Sequence, residues 1–381
     1  MSKLARPTFC LLAVLLAGCS TLPQQNTEHT PDWDEHNPEA ERGVAVAPPH
    51  PAPVESAPKT LPPAETNQPN LPRPPAALPQ ETWIPLARWS KANGFGLPSI
   101  LSASPLPAYE LRSNQGVLVL HTGSQLAYWD GIELLLGFAP QSIGGLPYAH
   151  ALDLKTSIHP LLSGGPSPCL RARPVIVLDP GHGGTDAGTR SVVDHRFEKE
   201  FTLDWARRLQ VLLAANGWQV LLTRSSDFDL ALSNRVAFTE DHKADLFVSL
   251  HFNSAGVSQA EAGLETYLLT PTGLPSALTR GFVDDLAAVF PNNAFDSQNL
   301  LLALRIHSAL LQVNGHHDRG VRHARFPGVL RGQQRPAVLV EGGYLSNPRE
   351  ARLIADPTYR ERLAEAVAGA LQDLRSLPAG Q

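Results

Sequence analysis

Residues 175–188 read Val-Ile-Val-Leu-Asp-Pro-Gly-His-Gly-Gly-Thr-Asp-Ala-Gly. Val175 to Leu178 is short, apolar and mostly β-branched, and Pro174 precedes it, the pattern of a buried strand. Asp179-Pro180-Gly181 stops that strand, and His182 follows in a loop dominated by glycine. An imidazole just past the carboxyl end of a core strand stands where open α/β sheets collect their ligands. Two other apolar runs end the same way: 245–250 leads into His251-Phe252-Asn253, and 337–340 into Glu341-Gly342-Gly343. Three strands therefore deliver a ligand-type side chain to one sheet edge.

Outward from this stretch, strand and helix patterns alternate to the end of the chain. Strands are expected at 175–178, 219–223, 245–250, 263–269 and 337–340, and helices near 198–215, 232–242, 300–312 and 359–377. Such alternation predicts an α/β fold, a mostly parallel sheet with helices on both faces. A small α+β accessory domain is expected ahead of it over 82–165, with a helix from Trp83 to Asn93 and strands at 116–121 and 125–136. Asp130-Gly131 forms a hairpin turn inside the latter. That region faintly resembles the small α+β module at the N-terminus of copper amine oxidases, and a plain structural role suits it as well as wall binding does.

The fourth site residue comes from a helix. Phe201, Trp205, Leu209 and Leu212 recur at helical spacing, and Glu198 falls on the same stripe, whereas Glu200 points to solvent. A carboxylate on a buried face requires a cation or a hydrogen-bond partner; a simple helix-start glutamate favoured by the helix dipole is the competing account. Two histidines and a carboxylate with an open fourth position form a catalytic zinc set. The metal brings the pKa of its water to about 7. A second carboxylate outside the coordination sphere then takes the proton and passes it to the leaving group. Glu341 fits that role, and the glycines at 183, 184, 342 and 343 are expected to keep the site floor low for a bulky substrate.

Taken together, VIVLDPGHGGTDAG (175–188), FEKEFTLDWARRL (197–209), VLLTRSSD (220–227), LSNRVAF (232–238), ADLFVSLHFNSA (244–255), GLETYLL (263–269), DRGVRHARF (318–326) and PAVLVEGGYLSNPREA (336–351) resemble the zinc-dependent N-acetylmuramoyl-L-alanine amidases of the amidase-3 type. The resemblance covers 173–378. It implies one zinc ion held by His182, Glu198 and His251, catalysis by Glu341, a six-stranded sheet, and cleavage of the amide between N-acetylmuramic acid and L-alanine in peptidoglycan. The alternative is a degenerate amidase that grips the wall without cutting it, but such a protein would have lost a ligand or the glutamate. A zinc hydrolase of a free muropeptide remains a rival that differs only in substrate size.

Several histidines and acids compete for roles. His195, in the loop before Glu198, is a rival ligand that no strand or helix face aims inward. His316, His317 and His323 are expected on the surface or in a substrate groove. Residues 276–290 have helical spacing (Leu278, Phe282, Leu286); they are read either as a peripheral helix or as a plug that brings Asp284 and Asp285 to the metal.

Composition supplies the remaining constraints. The chain has 381 residues and a net charge of −5, without a Lys/Arg cluster, so no nucleic-acid partner is expected. Lys3 and Arg6, the apolar run 9–16 and Leu16-Ala17-Gly18-Cys19 resemble a lipoprotein signal peptide of residues 1–19, with lipid on Cys19 as a membrane anchor. Ser20, rather than aspartate, follows that cysteine, so the expected location is the periplasmic face of an outer membrane. Residues 20–80 hold 15 of the 35 prolines and read as an extended tether. With Cys10 and Cys19 in the leader region, Cys169 is left alone, so no disulfide framework is expected.

Overall fold

In the computed structural model, residues 82–103, 106–281, 283–313 and 317–376 are described. The leader, Cys19, the proline-rich tether and His316 lie outside them. Fourteen strands are formed among the described residues. In the first part of the chain these are β1 (Trp83–Pro85), β2 (Ser99–Ser102), β3 (Ala108–Arg112), β4 (Val117–His121), β5 (Leu126–Trp129), β6 (Ile132–Leu135), β7 (Gln141–Ile143) and β8 (Leu146–His150). The second part adds β9 (Val175–Pro180), β10 (Gln219–Leu222), β11 (Leu246–Asn253), β12 (Leu264–Leu269), β13 (Asp318–Ala324) and β14 (Ala337–Tyr344).

A mostly parallel sheet was the expectation, and the sheet is instead mixed. Its order is β10-β9-β11-β14-β12-β13-β6-β5-β4-β3-β2, eleven strands in all. The pairs β10–β9, β9–β11, β11–β14 and β12–β13 are parallel, but β14–β12 is antiparallel. The sheet then continues into the N-terminal strands through Val321 of β13 beside Leu134 of β6, and β6 to β2 are antiparallel throughout. Short hairpins can join only antiparallel neighbours. The β5–β6 turn is one of these, with Asp130 (φ 49°) and Gly131 (φ 85°) both left-handed, as the sequence foretold.

Helices cover both faces. Ile176, Leu178, Val248, Leu250, Val338 and Val340 pack on one side with Phe201, Trp205 and Leu209 of the helix Glu198–Ala215, Ile306 of Asp296–Leu311, and Leu363 of Pro357–Ser376. The alternate residues Val175, Val177, Phe247 and Leu339 face a second core that contains Val329 and Leu330. Both faces of β9, β11 and β14 are thus dry, which explains why those strands read as unbroken apolar runs.

The described residues of 276–290 form no helix. The spacing that suggested one is overridden by a web of side-chain bonds: Ser276 N–H and Oγ donate to Asp284 at 2.7 Å each, and the buried Arg325 donates to Asp284 (2.6 Å), Pro271 O (3.0 Å) and Leu274 O (2.8 Å). Asp284 is spent on these contacts. His323 also departs from expectation: it is buried on β13, and burial pushes its imidazole down to about 4.

Candidate metal centre

The loop after β9 is tied down by buried arginines. Asp179, the last acid of the strand, accepts from Thr223 Oγ1 (2.5 Å), Arg235 Nη1 (2.7 Å) and Ser249 Oγ (2.8 Å). Arg235 also donates to the carbonyls of Pro180 (2.9 Å) and His182 (2.8 Å), and Arg224 to those of Pro180 (2.9 Å) and Gly181 (2.8 Å). These bonds hold His182 at φ 61°, a conformation costly for a non-glycine residue. Breaking the buried pair from one side strands a charge. Arg235→Met is therefore expected to destabilise the fold by about 3–5 kcal/mol, measured by urea unfolding against Arg235→Lys; a loss under about 1 kcal/mol would contradict this role.

Glu198 is fully buried at the first turn of its helix. One oxygen accepts Phe252 N–H (3.0 Å) and lies 3.0 Å from His251 Nδ1; the other accepts Thr189 N–H (3.1 Å) and lies 3.1 Å from His182 Nε2. The His182 and His251 rings meet edge to face at 4.8 Å. One ligand atom from each of His182, Glu198 and His251 lies within 4.8 Å of the others, and no other such group occurs among the described residues. Glycine makes the space: a Cβ at Gly181 would fall 2.2 Å from the His251 ring, and one at Gly188 2.7 Å from Glu198 and from His182. Gly183, Gly184 and Gly342, by contrast, serve close packing, since a Cβ would meet Phe228 O, Asp229 N and Trp205 respectively. They do not open the site floor as expected.

The electrostatics favour a bound cation. Burial opposes charge on His182, yet the Glu198 carboxylate beside it raises its pKa to about 10. Burial likewise opposes charge on Glu198, but the two imidazoles hold its carboxyl well below the usual range. His251 is pulled the other way, downward, chiefly by burial. Neutral imidazole and ionised carboxylate are the forms that bind a metal.

Glu341 follows His251 across the sheet, paired with it in the β11–β14 register. It is 2% exposed, and its Oε2 has no hydrogen-bond partner. Burial raises its pKa to about 8, the Glu198 and Glu265 carboxylates add to this, and the Arg280 guanidinium opposes it. A buried carboxylate with one oxygen free of hydrogen bonds, poised near neutrality, is suited to move a proton.

The structure therefore brings together all four residues expected from the sequence. His195 is exposed, its carbonyl accepting from Arg190 Nε at 3.0 Å, and it takes no part. Four contributors went unrecognised. Asp186 accepts from His182 Nδ1 at 2.7 Å and so fixes which nitrogen faces the cluster. Arg224 and Arg235 stood inside quoted motifs without a role. Glu265 also stood in one; it is 2% exposed, lies opposite Glu341 on β12, and accepts from Asn253, Tyr267 and Arg319 at 2.7 Å each. An acid alternating with apolar residues on a central strand was its available signal.

A family model described as N-acetylmuramoyl-L-alanine amidase (Amidase_3) matches residues 176–373, just over half of the chain. The chain belongs to that family. It is 33% identical over 238 residues to the N-acetylmuramoyl-L-alanine amidase AmiC of Escherichia coli O6:H1, a match covering 56% of this chain and 56% of AmiC. To AmiA of Escherichia coli K12 it is 31% identical over 261 residues, 62% of this chain and 88% of that one. Among solved structures, the catalytic domain of CwlV, an N-acetylmuramoyl-L-alanine amidase from Bacillus (Paenibacillus) polymyxa, is 31% identical with a TM-score of 0.44, covering 54% of this chain and 99% of its own.

Proposed function

We propose that the protein is a zinc-dependent N-acetylmuramoyl-L-alanine amidase that cuts the amide joining N-acetylmuramic acid to the L-alanine of a stem peptide in peptidoglycan. The observation that carries this reading is the juxtaposition of three buried donors, His182, Glu198 and His251, with the buried carboxylate of Glu341, whose Oε2 has no hydrogen-bond partner. His182, Glu198 and His251 would hold one zinc ion, which supplies Lewis acidity to the attacking water and to the scissile carbonyl. Asp186 orients His182, and backbone N–H groups of Thr189 and Phe252 orient Glu198. Glu341 accepts the proton of the attacking water and donates it to the departing alanine amine. Its burial makes it basic enough for the first transfer and acidic enough for the second.

Purified peptidoglycan incubated with the protein should release stem peptides that begin with a free L-alanine amino group, and a chelator should abolish the release, as read by mass spectrometry. Fragments cut between sugars or between amino acids would contradict the reading.

The location belongs to the same proposal. Cys19 is lipidated and becomes the first residue after the leader ahead of it is removed, residues 20–80 form the tether, and the anchored protein faces the periplasm from the outer membrane. The segment 82–165 then serves as an accessory domain to the catalytic part, 173–378. No helix among the described residues is long and apolar enough to cross a membrane. Cell fractionation should place the wild type with outer membranes and Cys19→Ala in the soluble periplasm; the same distribution for both would contradict the anchor.

A further inference from the structure

The segment between β12 and the helix Asp296–Leu311 joins two places that the sequence kept apart. At one end it seats on the N-terminal strands. Leu274 is fully buried against Gly137, where an added Cβ would come within 2.7 Å of its Cδ2, and an added Cβ at Gly273 would come within 2.9 Å of Leu152. Gly137 is itself fixed, its N–H and that of Phe138 donating to the buried Asp153 at 2.8 and 2.9 Å. The middle of the segment is clamped by Arg325, through Pro271 O, Leu274 O and Asp284. Gly273 N–H closes it on Leu286 O at 2.8 Å.

Beyond this clamp the segment carries Arg280 to the catalytic side. Arg280 has φ 48°, and its guanidinium stands over the rings of Phe326 (4.7 Å) and Tyr267 (5.8 Å) while donating to Asn253 Oδ1 at 3.2 Å. Asn253 in turn donates to Glu265, the register partner of Glu341. Like charges directly opposite each other in a sheet repel, and Glu265 and Glu341 are both buried. Arg319 is engaged by Glu265 (2.7 Å) and Glu261 (2.5 Å). Arg280, joined through Asn253 to Glu265, is thereby set beside the carboxylate that lies opposite Glu341 in the sheet.

We propose that Arg280 is a positioning residue for Glu341, and that the N-terminal strands hold it there through a strap formed by residues 271–281. The strap rests on the reading of Glu341 as the base. It gives the continuous sheet a catalytic consequence: the N-terminal segment 83–163 sets the site from a distance, through the Leu274–Gly137 contact, without touching the substrate.

The test is a double-mutant cycle on peptidoglycan release by the full chain, with zinc content and thermal melting followed in parallel. Arg280→Ala should lower kcat by about 10²-fold, the cost of displacing a group at a preorganised site, with KM and metal content kept; Arg280→Lys should recover part of it. Gly137→Ala pushes on Leu274 from the N-terminal side, and Leu274→Ala removes the same contact by truncation should the first variant fold poorly. Each should lower kcat alone but add nothing in the Arg280→Ala background, because coupled sites are not additive. Full activity or increased activity in Arg280→Ala, or multiplicative losses in the double variants, would overturn the strap while leaving the amidase reading intact. Absence of chelator-sensitive release by the wild type would overturn that reading and the strap with it.

Discussion

His182→Ala and His251→Ala lose the metal and with it all measurable amidase activity. Each removes one of three protein donors, and the remaining two leave Glu198 as a fully buried carboxylate with half its neutralising partners. An uncompensated buried charge costs several kcal/mol, so the metal-free variants should also be less stable than the metal-free wild type. Stoichiometry by atomic emission on dialysed protein should fall from about one zinc per chain to near zero, and activity by at least about 10³-fold, the scale on which removal of a metal's Lewis acidity is felt. His195→Ala serves as the control, since that side chain is exposed and should change neither reading. Full occupancy in both ligand variants would contradict the assignment.

Glu341→Gln separates chemistry from binding. The amide retains the size of the side chain, and no hydrogen bond to Oε2 is there to be lost. The fold and the metal should therefore persist. Only the capacity to accept and return a proton disappears, a loss of about 10²-fold or more in kcat. Because burial raises the wild-type carboxyl to about 8 in the metal-free protein, against the opposing Arg280 charge, replacement by a neutral group should also stabilise the metal-free protein at high pH. A carboxyl whose folded pKa is raised favours the fold below its unfolded value and loses that contribution as pH rises through about 8. A variant that loses zinc would make Glu341 a ligand instead of the base.

The sequence shows the site more fully than it shows the sheet, for a physical reason. His182, His251 and Glu341 announce themselves because a polar residue at the end of an apolar strand breaks a pattern, and Glu198 because it sits on the stripe of Phe201 and Trp205. The start and end of that helix, Glu198–Ala215, were legible to the residue. What holds these residues was not. Asp179, Arg224 and Arg235 form one buried cluster from three elements, and nothing local marks an arginine as buried. Strand direction was equally hidden: β12 carries the same apolar run whether it lies parallel or antiparallel to β14. The strand β13 was missed because Arg319, Arg322 and His323 interrupt its alternation, two of them drawn toward Glu265 and the third packed inside. The stretch 276–290 failed for the opposite reason: its apolar spacing was real, but Asp284 and Arg325 define a different local structure.

The central claim is that one zinc ion sits among His182, Glu198 and His251 with Glu341 outside its coordination sphere. Anomalous diffraction from crystals of the zinc-loaded protein, recorded on both sides of the zinc absorption edge, tests this most directly. The account predicts one strong peak about 2.0–2.2 Å from an imidazole nitrogen of each histidine and an oxygen of Glu198, with the Glu341 carboxylate beyond bonding distance. A peak bonded to Glu341, or none within the cluster, would contradict it.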